Sequence, residues 1–318
     1  MLTDNEKLVY YNQMLISLSS LRKHQFCGPV IVFTDRNTAA EIEKQKRHDL
    51  QDLSAEQVVI EVPDSYSQKE KSRFIKTSLR KYLSGDFLFI DTDTVIADSL
   101  PEEVSNCEIA LVRDGHRPML EIGTDVLNRS FYEKCNYSFD FSVVYFNSGV
   151  IWCKDTDFTR SFYDRWHEEW KYTLGCGVVF DQPSLNKLNA ELGYVITELD
   201  GKYNLQVDNP FPIKCLVNAC IIHYYNFSRP KEPSFILQQM ELKDLDYRSE
   251  AIQKIIESPK EAFAPCRLVK LNGTEDLLVK SEAYKLLRST YIYRKKLFLI
   301  IEASARTLRK VRRVLRNI

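Results

Sequence analysis

A chain of 318 residues, 44% hydrophobic and 12% aromatic, is long enough to bury one large core or two ordinary ones and too apolar to be disordered. Its 44 basic residues balance 44 acidic ones, but the balance hides a split: nine Arg/Lys and one acid fall in the last 25 residues, so that segment carries +8 and the rest −8. The eight cysteines, at 27, 107, 135, 153, 176, 215, 220 and 266, form no C-x-x-C pair, which excludes an obvious zinc site and fits a reducing compartment better than a disulfide framework.

The N-terminal MLTDNEKLVYYN has neither the basic region nor the apolar core of a secretory signal, and no apolar run approaches the ~20 residues that span a bilayer. A soluble or peripherally attached cytoplasmic protein is expected. VIVFTD (30–35) predicts a buried strand, and NTAAEIEKQKRHDL (37–50) a helix capped by Asn37 or Thr38. QVVIEV (57–62) is a second strand. SQKEKSRFIKTSLRKYL (67–83) is a helix closed by the Ser84-Gly85 turn, and FLFID (87–91) and IALVRD (109–114) are further strands. Strands alternating with helices of this length predict βαβ units and a mainly parallel sheet, with ligands bound beyond the carboxyl ends of the strands. FSVVYFNSGVIWC (141–153) reads as strand, turn and strand, and DTDFTRSFYDRWHEEWKY (155–172) as an amphipathic helix opened by an Asp cap. DQPSLNKLNAEL (181–192) is a short helix with Pro183 in its first turn, where proline is tolerated. YVITEL (194–199) and CIIHYY (220–225) are strands, and the chain beyond residue 231 is mainly helical and charged.

FLFIDTDTVIADS (87–99) ends an apolar run with two acids two positions apart. On a strand those positions share a face, about 6.7 Å apart. Three readings of Asp91 and Asp93 are open from the residues: a solvated turn, an acid/base pair, or a divalent cation held by hard oxygens, Mg²⁺ or Mn²⁺. The acid/base pair needs a neighbouring nucleophile or base that the sequence does not display. Position at the end of a βαβ strand favours the cation.

The surrounding motifs resemble those of glycosyltransferase family 8, the retaining GT-A-fold family that includes glycogenin and lipopolysaccharide galactosyltransferases. SRFIKTSLRKYLSGDFLFIDTDT is similar to the family's basic residue, helix, strand and D-x-D. YFNSGVIW resembles its F-N-[AS]-G-V, DQPSLN its D-Q-x-x-x-N, YNLQ its Y-N turn, and IIHYYNFSRP its H-F-x-G-x-x-K-P. The resemblance covers residues 3–231 and five ordered motifs.

It implies an α/β fold of GT-A type (Rossmann-like, as in nucleotide-diphospho-sugar transferases) over residues 1–231: a mixed, mainly parallel sheet flanked by helices. A helical C-terminal extension, 232–318, would follow. It implies that Asp91, Asp93 and His223 hold Mn²⁺ or Mg²⁺, that Asp181 grips the sugar, and that Gln182 lies at the face of the anomeric carbon as the second catalytic residue. Thr3, Asp4, Arg73, Asp91, Asn147, Ser148, Gly149, Asn226 and Arg229 would bind the nucleotide-sugar. Plainer readings stand beside these: a core histidine at 223, an exposed helix charge at 73, a hairpin turn at 147–149, and a polar helix start at 182. The sequence departs from the family at Asn226 for Gly, Arg229 for Lys and Lys231 for Trp. Only Met1 and Leu2 precede the segment beginning at Thr3, where the family has its first strand.

The resemblance implies transfer of a hexose, with retention, from a UDP-linked donor to a glycan or lipid-linked acceptor. The alternatives are an inactive nucleotide-sugar-binding module or a sugar nucleotidyltransferase, whose glycine-rich phosphate loop is missing here. Finally, RKKLFLIIEASARTLRKVRRVLRNI (294–318) spaces Phe298, Ile301, Ala305, Leu308, Val311, Leu315 and Ile318 by threes and fours, giving a basic helix one apolar face. Such a helix suits an anionic membrane surface on the inner, cytoplasmic face, or packs on the catalytic domain with its basic face solvated. No nucleic-acid partner is expected, because no aromatic-interleaved platform accompanies the charge.

Overall fold

The computed structural model describes residues 8–100, 107–116, 125–140, 142–207, 216–224, 246–263 and 281–315. The chain divides into two compact units, Met1–Leu268 and Val269–Ile318. This is later than the expected boundary at 231. Helices α8 (Glu250–Glu257) and α9 (Pro259–Phe263) belong to the first unit, because Ile252, Ile255, Ile256 and Phe263 are buried in the same core as α1 (Val9–Lys23).

The first unit is a mixed α/β structure. Strand β1 (Ile31–Asp35) runs into α2 (Arg36–Lys44), a short α3 (Asp49–Asp52) and β2 (Glu56–Ile60), which pairs parallel with β1. The cap of α2 is Asp35 rather than Asn37 or Thr38: its extended backbone lets its carboxylate accept from Thr38 N at 3.2 Å. The helix stops at Lys44 rather than running to 50, and Lys46 takes a left-handed φ of 53° just beyond. Helix α4 (Gln68–Ser78) opens with a Ser67/Glu70 capping box and continues as one 3₁₀ turn, Leu79–Lys81.

Strands β3 (Phe87–Ile90) and β4 (Thr94–Ile96) flank the Asp-Thr-Asp turn and join different sheets. β3 pairs antiparallel with β6 (Phe146–Cys153), which also pairs antiparallel with β5 (Ile109–Arg113); β5 pairs parallel with β7 (Thr197–Leu199). β4 pairs antiparallel with β9 (Ile221–His223), and β9 parallel with β8 (Leu205–Gln206). Among the described pairings parallel and antiparallel are therefore equal in number, so the sheet structure is mixed without a parallel majority. β1 and β3 are end strands of their sheets, and between them lies a cavity of about 470 Å³ lined by Val30–Phe33, by Asp86–Thr92 and by Met14 and Leu18 of α1.

The described part of segment 141–153, residues 142–153, is not strand, turn and strand. Residues 146–153 form one strand whose register against β5 slips: Leu111 faces Ile151 but Val112 faces Asn147. Ser148, Gly149 and Val150 thus bulge from that pairing, and Asn147 Oδ1 holds the bulge by accepting from Gly149 N at 2.9 Å. Helix α5 (Asp125–Lys134) precedes this strand, and α6 (Asp157–Gly175) and α7 (Gln182–Glu191) follow it. Thr156, not Asp155, caps α6 by accepting from Thr159 N at 3.2 Å, while the Asp155 carboxylate accepts from Gly85 N at 2.6 Å.

The described residues form two large apolar cores and a small aromatic cluster around Tyr132 and Tyr145. One gathers α1, β4, β9 and α8, and the other packs α4, α6 and α7 on β3, β5 and β6 through Ile75, Phe162, Trp166 and Leu185. The second unit contains α10 (Glu282–Tyr293) and α11 (Lys295–Leu315), packed together in part by Tyr291 and Phe298, whose ring centroids are 5.0 Å apart. Among the described residues no helix is long and apolar enough to cross a membrane.

Candidate active site

The Asp-Thr-Asp turn is where the chain leaves one sheet for another, and each acid is tied to a different one. Asp91 N donates to Gly149 O of β6 at 2.8 Å, while Asp93 O accepts from Tyr224 N, just after β9, at 2.9 Å. Helix α1 braces the far side: Ser17 Oγ and Thr94 Oγ1 are 2.8 Å apart, and Ser20 Oγ accepts from Ile96 N at 2.9 Å. Because Thr94 of β4 is paired with His223 of β9, the imidazole is delivered beside Asp93, with Nε2 3.2 Å from Asp93 Oδ1.

Ligand atoms of Asp91, Asp93 and His223 lie within 4.8 Å of one another, the one such group among the described residues. Two carboxylates and an imidazole at that spacing fit a borderline-hard divalent cation such as Mn²⁺. Asp93 shows the electrostatics. Burial pushes its carboxyl upward, yet the charge and hydrogen bond of His223 hold it below the usual carboxylate range. A cation would compete with a proton for Nε2.

Asp181 is the second centre. It occupies the N-cap position of α7 but makes no side-chain cap, an unusual use of an Asp there. Instead its buried carboxylate accepts from Ser148 Oγ at 2.7 Å and lies 3.0 Å from Arg73 Nε and 3.5 Å from Lys76 Nζ. Its backbone carbonyl accepts from Trp166 Nε1 at 3.2 Å. Burial raises its carboxyl, but Lys76 and Arg73, followed by the Ser148 hydroxyl, more than reverse this and keep it ionised. Lys76, 1% exposed, also reaches Asp91 Oδ2 at 3.1 Å and sits 4.9 Å above the Phe89 ring. One buried ammonium thus joins the two acidic centres.

Asn147 is buried between them. Its Nδ2 donates to Asp114 Oδ1 at 2.9 Å and faces Gln182 Oε1 at 3.4 Å. Gly149 lies against the imidazole: a Cβ there would sit 2.2 Å from His223 Cε1. The predicted site residues Arg73, Asp91, Asp93, Asn147, Ser148, Gly149, Asp181, Gln182 and His223 therefore converge on one region. Thr3, Asp4, Asn226 and Arg229 lie outside the described residues.

Lys76, Asp114 and Asn204 belong to the same network, and sequence reasoning alone assigns them no role in it. Lys76 stands three residues after Arg73 on α4, a spacing that puts both on one helix face. Asp114 ends IALVRD as Asp91 ends FLFID, an acid after an apolar strand. Asn204 follows the tyrosine of YNLQ, ending a 3₁₀ turn over Gly201–Asn204.

No protein-family model matches the sequence, and no curated protein matches it. Among solved structures the chain is similar to mouse xyloside xylosyltransferase 1 in its apo form, at 10% identity over 69% of this chain and 93% of that one, with a TM-score of 0.46. It is also similar to the glycosyltransferase GlyE of Streptococcus pneumoniae TIGR4, at 15% identity over 79% of this chain, with a TM-score of 0.48; the chain spans 61% of that structure's length. Neither is similar enough to bear on the chemistry of this site.

Proposed function

We propose that the protein is a metal-dependent, retaining glycosyltransferase of GT-A type that moves a hexose from a UDP-linked donor to a glycan or lipid-linked acceptor. The observation that carries this reading is the junction of Asp91, Asp93 and His223, a set that could hold a cation, with the buried Asp181 through Lys76. The pair suits a nucleotide-sugar, whose diphosphate wants a cation and whose sugar offers hydroxyls to a fixed carboxylate.

Breaking the bond between anomeric carbon and diphosphate leaves negative charge on the departing phosphate. A Mn²⁺ or Mg²⁺ held by Asp91, Asp93 and His223 would supply charge stabilisation there. Asp181, held by Arg73, Lys76 and Ser148, is pre-oriented to accept from sugar hydroxyls. Asn147 and Gln182, side by side, line the same region. A carboxamide is a poor nucleophile, so Gln182 positions rather than attacks, and the acceptor attacks from the face the leaving group departs, its proton passing to the phosphate oxygen. Incubation with a panel of UDP-hexoses and Mn²⁺ tests this. UDP release from one donor, with the product sugar keeping its anomeric configuration by ¹H NMR, is expected; turnover of none, by folded protein that binds UDP, would favour an inactive nucleotide-sugar-binding module.

The second unit supports a peripheral location on the inner face of a membrane. Lys295 and Lys296 adjoin exposed Leu297, Leu299 and Ile300 at the start of α11, a mixture that suits anionic lipid. Sedimentation with phosphatidylglycerol vesicles that is lost on deleting residues 294–318 is expected; equal sedimentation of both proteins would contradict it.

A further inference from the structure

A backbone N–H can only donate, and one such group determines the proton position on His223. Gly149 N lies 2.9 Å from the Asn147 side chain, so the atom it meets is Oδ1. The other end of that amide is then Nδ2, which agrees with its 2.9 Å contact to the acceptor-only carboxylate of Asp114. Asn147 Oδ1 also faces the side chain of Asn204 at 3.0 Å, so Asn204 presents Nδ2 there. Its Oδ1 is left to face His223 Nδ1 at 2.9 Å. An oxygen with no hydrogen can only accept, so Nδ1 carries a proton in the neutral and the charged ring alike. Nε2, turned toward Asp93, is then the nitrogen that carries the lone pair in the neutral tautomer.

We propose that Asn204 is the positioning residue of the site: it keeps the proton on His223 Nδ1, so that Nε2 is the nitrogen available to a divalent cation. This deepens the proposed function and its cation part rests on that reading. Asn204 and His223 are both buried, so water does not compete for either group. The free imidazole of histidine favours the opposite tautomer, so the relay from Gly149 through Asn147 and Asn204 has a preference to overcome. Supports of this kind for a ligating histidine typically change metal affinity ten- to a hundredfold.

The test uses full-length protein with ¹⁵N-labelled histidine, metal-free at pH 8, read by long-range ¹H–¹⁵N correlation. The ring signals of His223 are assigned by their loss in His223→Gln. The wild type should show a protonated Nδ1; a bare Nδ1 overturns the proposal without any Asn204 variant. Asn204→Leu, similar in size but unable to accept, should strip the proton from Nδ1, leave it on Nε2, and weaken Mn²⁺ binding, followed by the EPR signal of free Mn²⁺, ten- to a hundredfold. Asn204→Asp keeps an acceptor facing Nδ1 and should keep the proton there. A protonated Nδ1 in Asn204→Leu overturns the proposal. A wild type with protonated Nδ1 that binds no Mn²⁺ upholds the positioning role and removes the cation reading instead.

Discussion

The α-carbon of Gly149 rests against the imidazole of His223, so closely that a methyl group there would lie 2.2 Å from Cε1 and 2.7 Å from Nδ1. A strand residue and a proposed metal ligand thus share a space that excludes every side chain except hydrogen. Gly149 has no left-handed backbone to accommodate; closeness alone accounts for the glycine. Gly149→Ala should push the ring aside while leaving the two cores intact. Transfer activity should fall about a hundredfold, and Mn²⁺ affinity with it. Full activity would mean that the imidazole has no part in the site.

Lys76 is the most consequential residue not evident from sequence. Replacing it with Met leaves Asp91 and Asp181 facing a buried apolar chain, a loss of a partner that costs about 3–5 kcal/mol. The urea midpoint of Lys76→Met should drop accordingly. An unchanged midpoint would show that the ammonium does not bridge the two carboxylates in solution.

Asp181→Asn tests the proposed sugar contact. The amide keeps the size of the side chain but leaves Arg73 and Lys76 without their shared carboxylate. Donor turnover should fall about 10²- to 10³-fold, with far-ultraviolet circular dichroism unchanged. Turnover within a factor of two of wild type would remove Asp181 from the proposed sugar site.

His167 makes the stability of the first unit depend on pH. It is buried in the core against Phe74 and Trp170, with Nδ1 2.8 Å from Thr77 Oγ1. Burial, then the charges of Lys81 and Lys171, push it down to about 4. The folded state therefore holds the neutral ring while the unfolded chain, titrating near 6.5, takes up a proton first. Its contribution is complete above about pH 6.5 and is lost as pH falls toward about 4, by about 3 kcal/mol in all. Unfolding midpoints across that range should slope less in His167→Gln; identical slopes would contradict it.

The strand end at Asp91 is legible in the sequence because an apolar run closing on an acid, FLFID, sets a carboxylate at the rim of a sheet; IALVRD closes on Asp114 in the same way, but without a second acid beside it nothing marks that end out. Pairing over long separations leaves no such local mark. β4 is three residues long, too short to show a period, and it becomes a strand only by pairing with β9, more than a hundred residues away. The bulge at Ser148 and Gly149 looks like a hairpin turn until β5 and β3 are placed on either side of β6. Nothing in the sequence marks Lys76 out, because its partners, Asp91 and Asp181, come from segments distant from it and from each other. The helix caps differ locally: Asp35 and Thr156 hold the N-termini, each close to the residue expected to do so.

If Asp91, Asp93 and His223 hold a cation needed to break a nucleotide-sugar bond, UDP release from UDP-hexoses, with Mn²⁺ or EDTA, for wild type and Asp93→Ala, shows it most directly. Release from one donor by the wild type with Mn²⁺ is expected, abolished by EDTA and by Asp93→Ala alike. Release that persists in EDTA, or in folded Asp93→Ala, would contradict it.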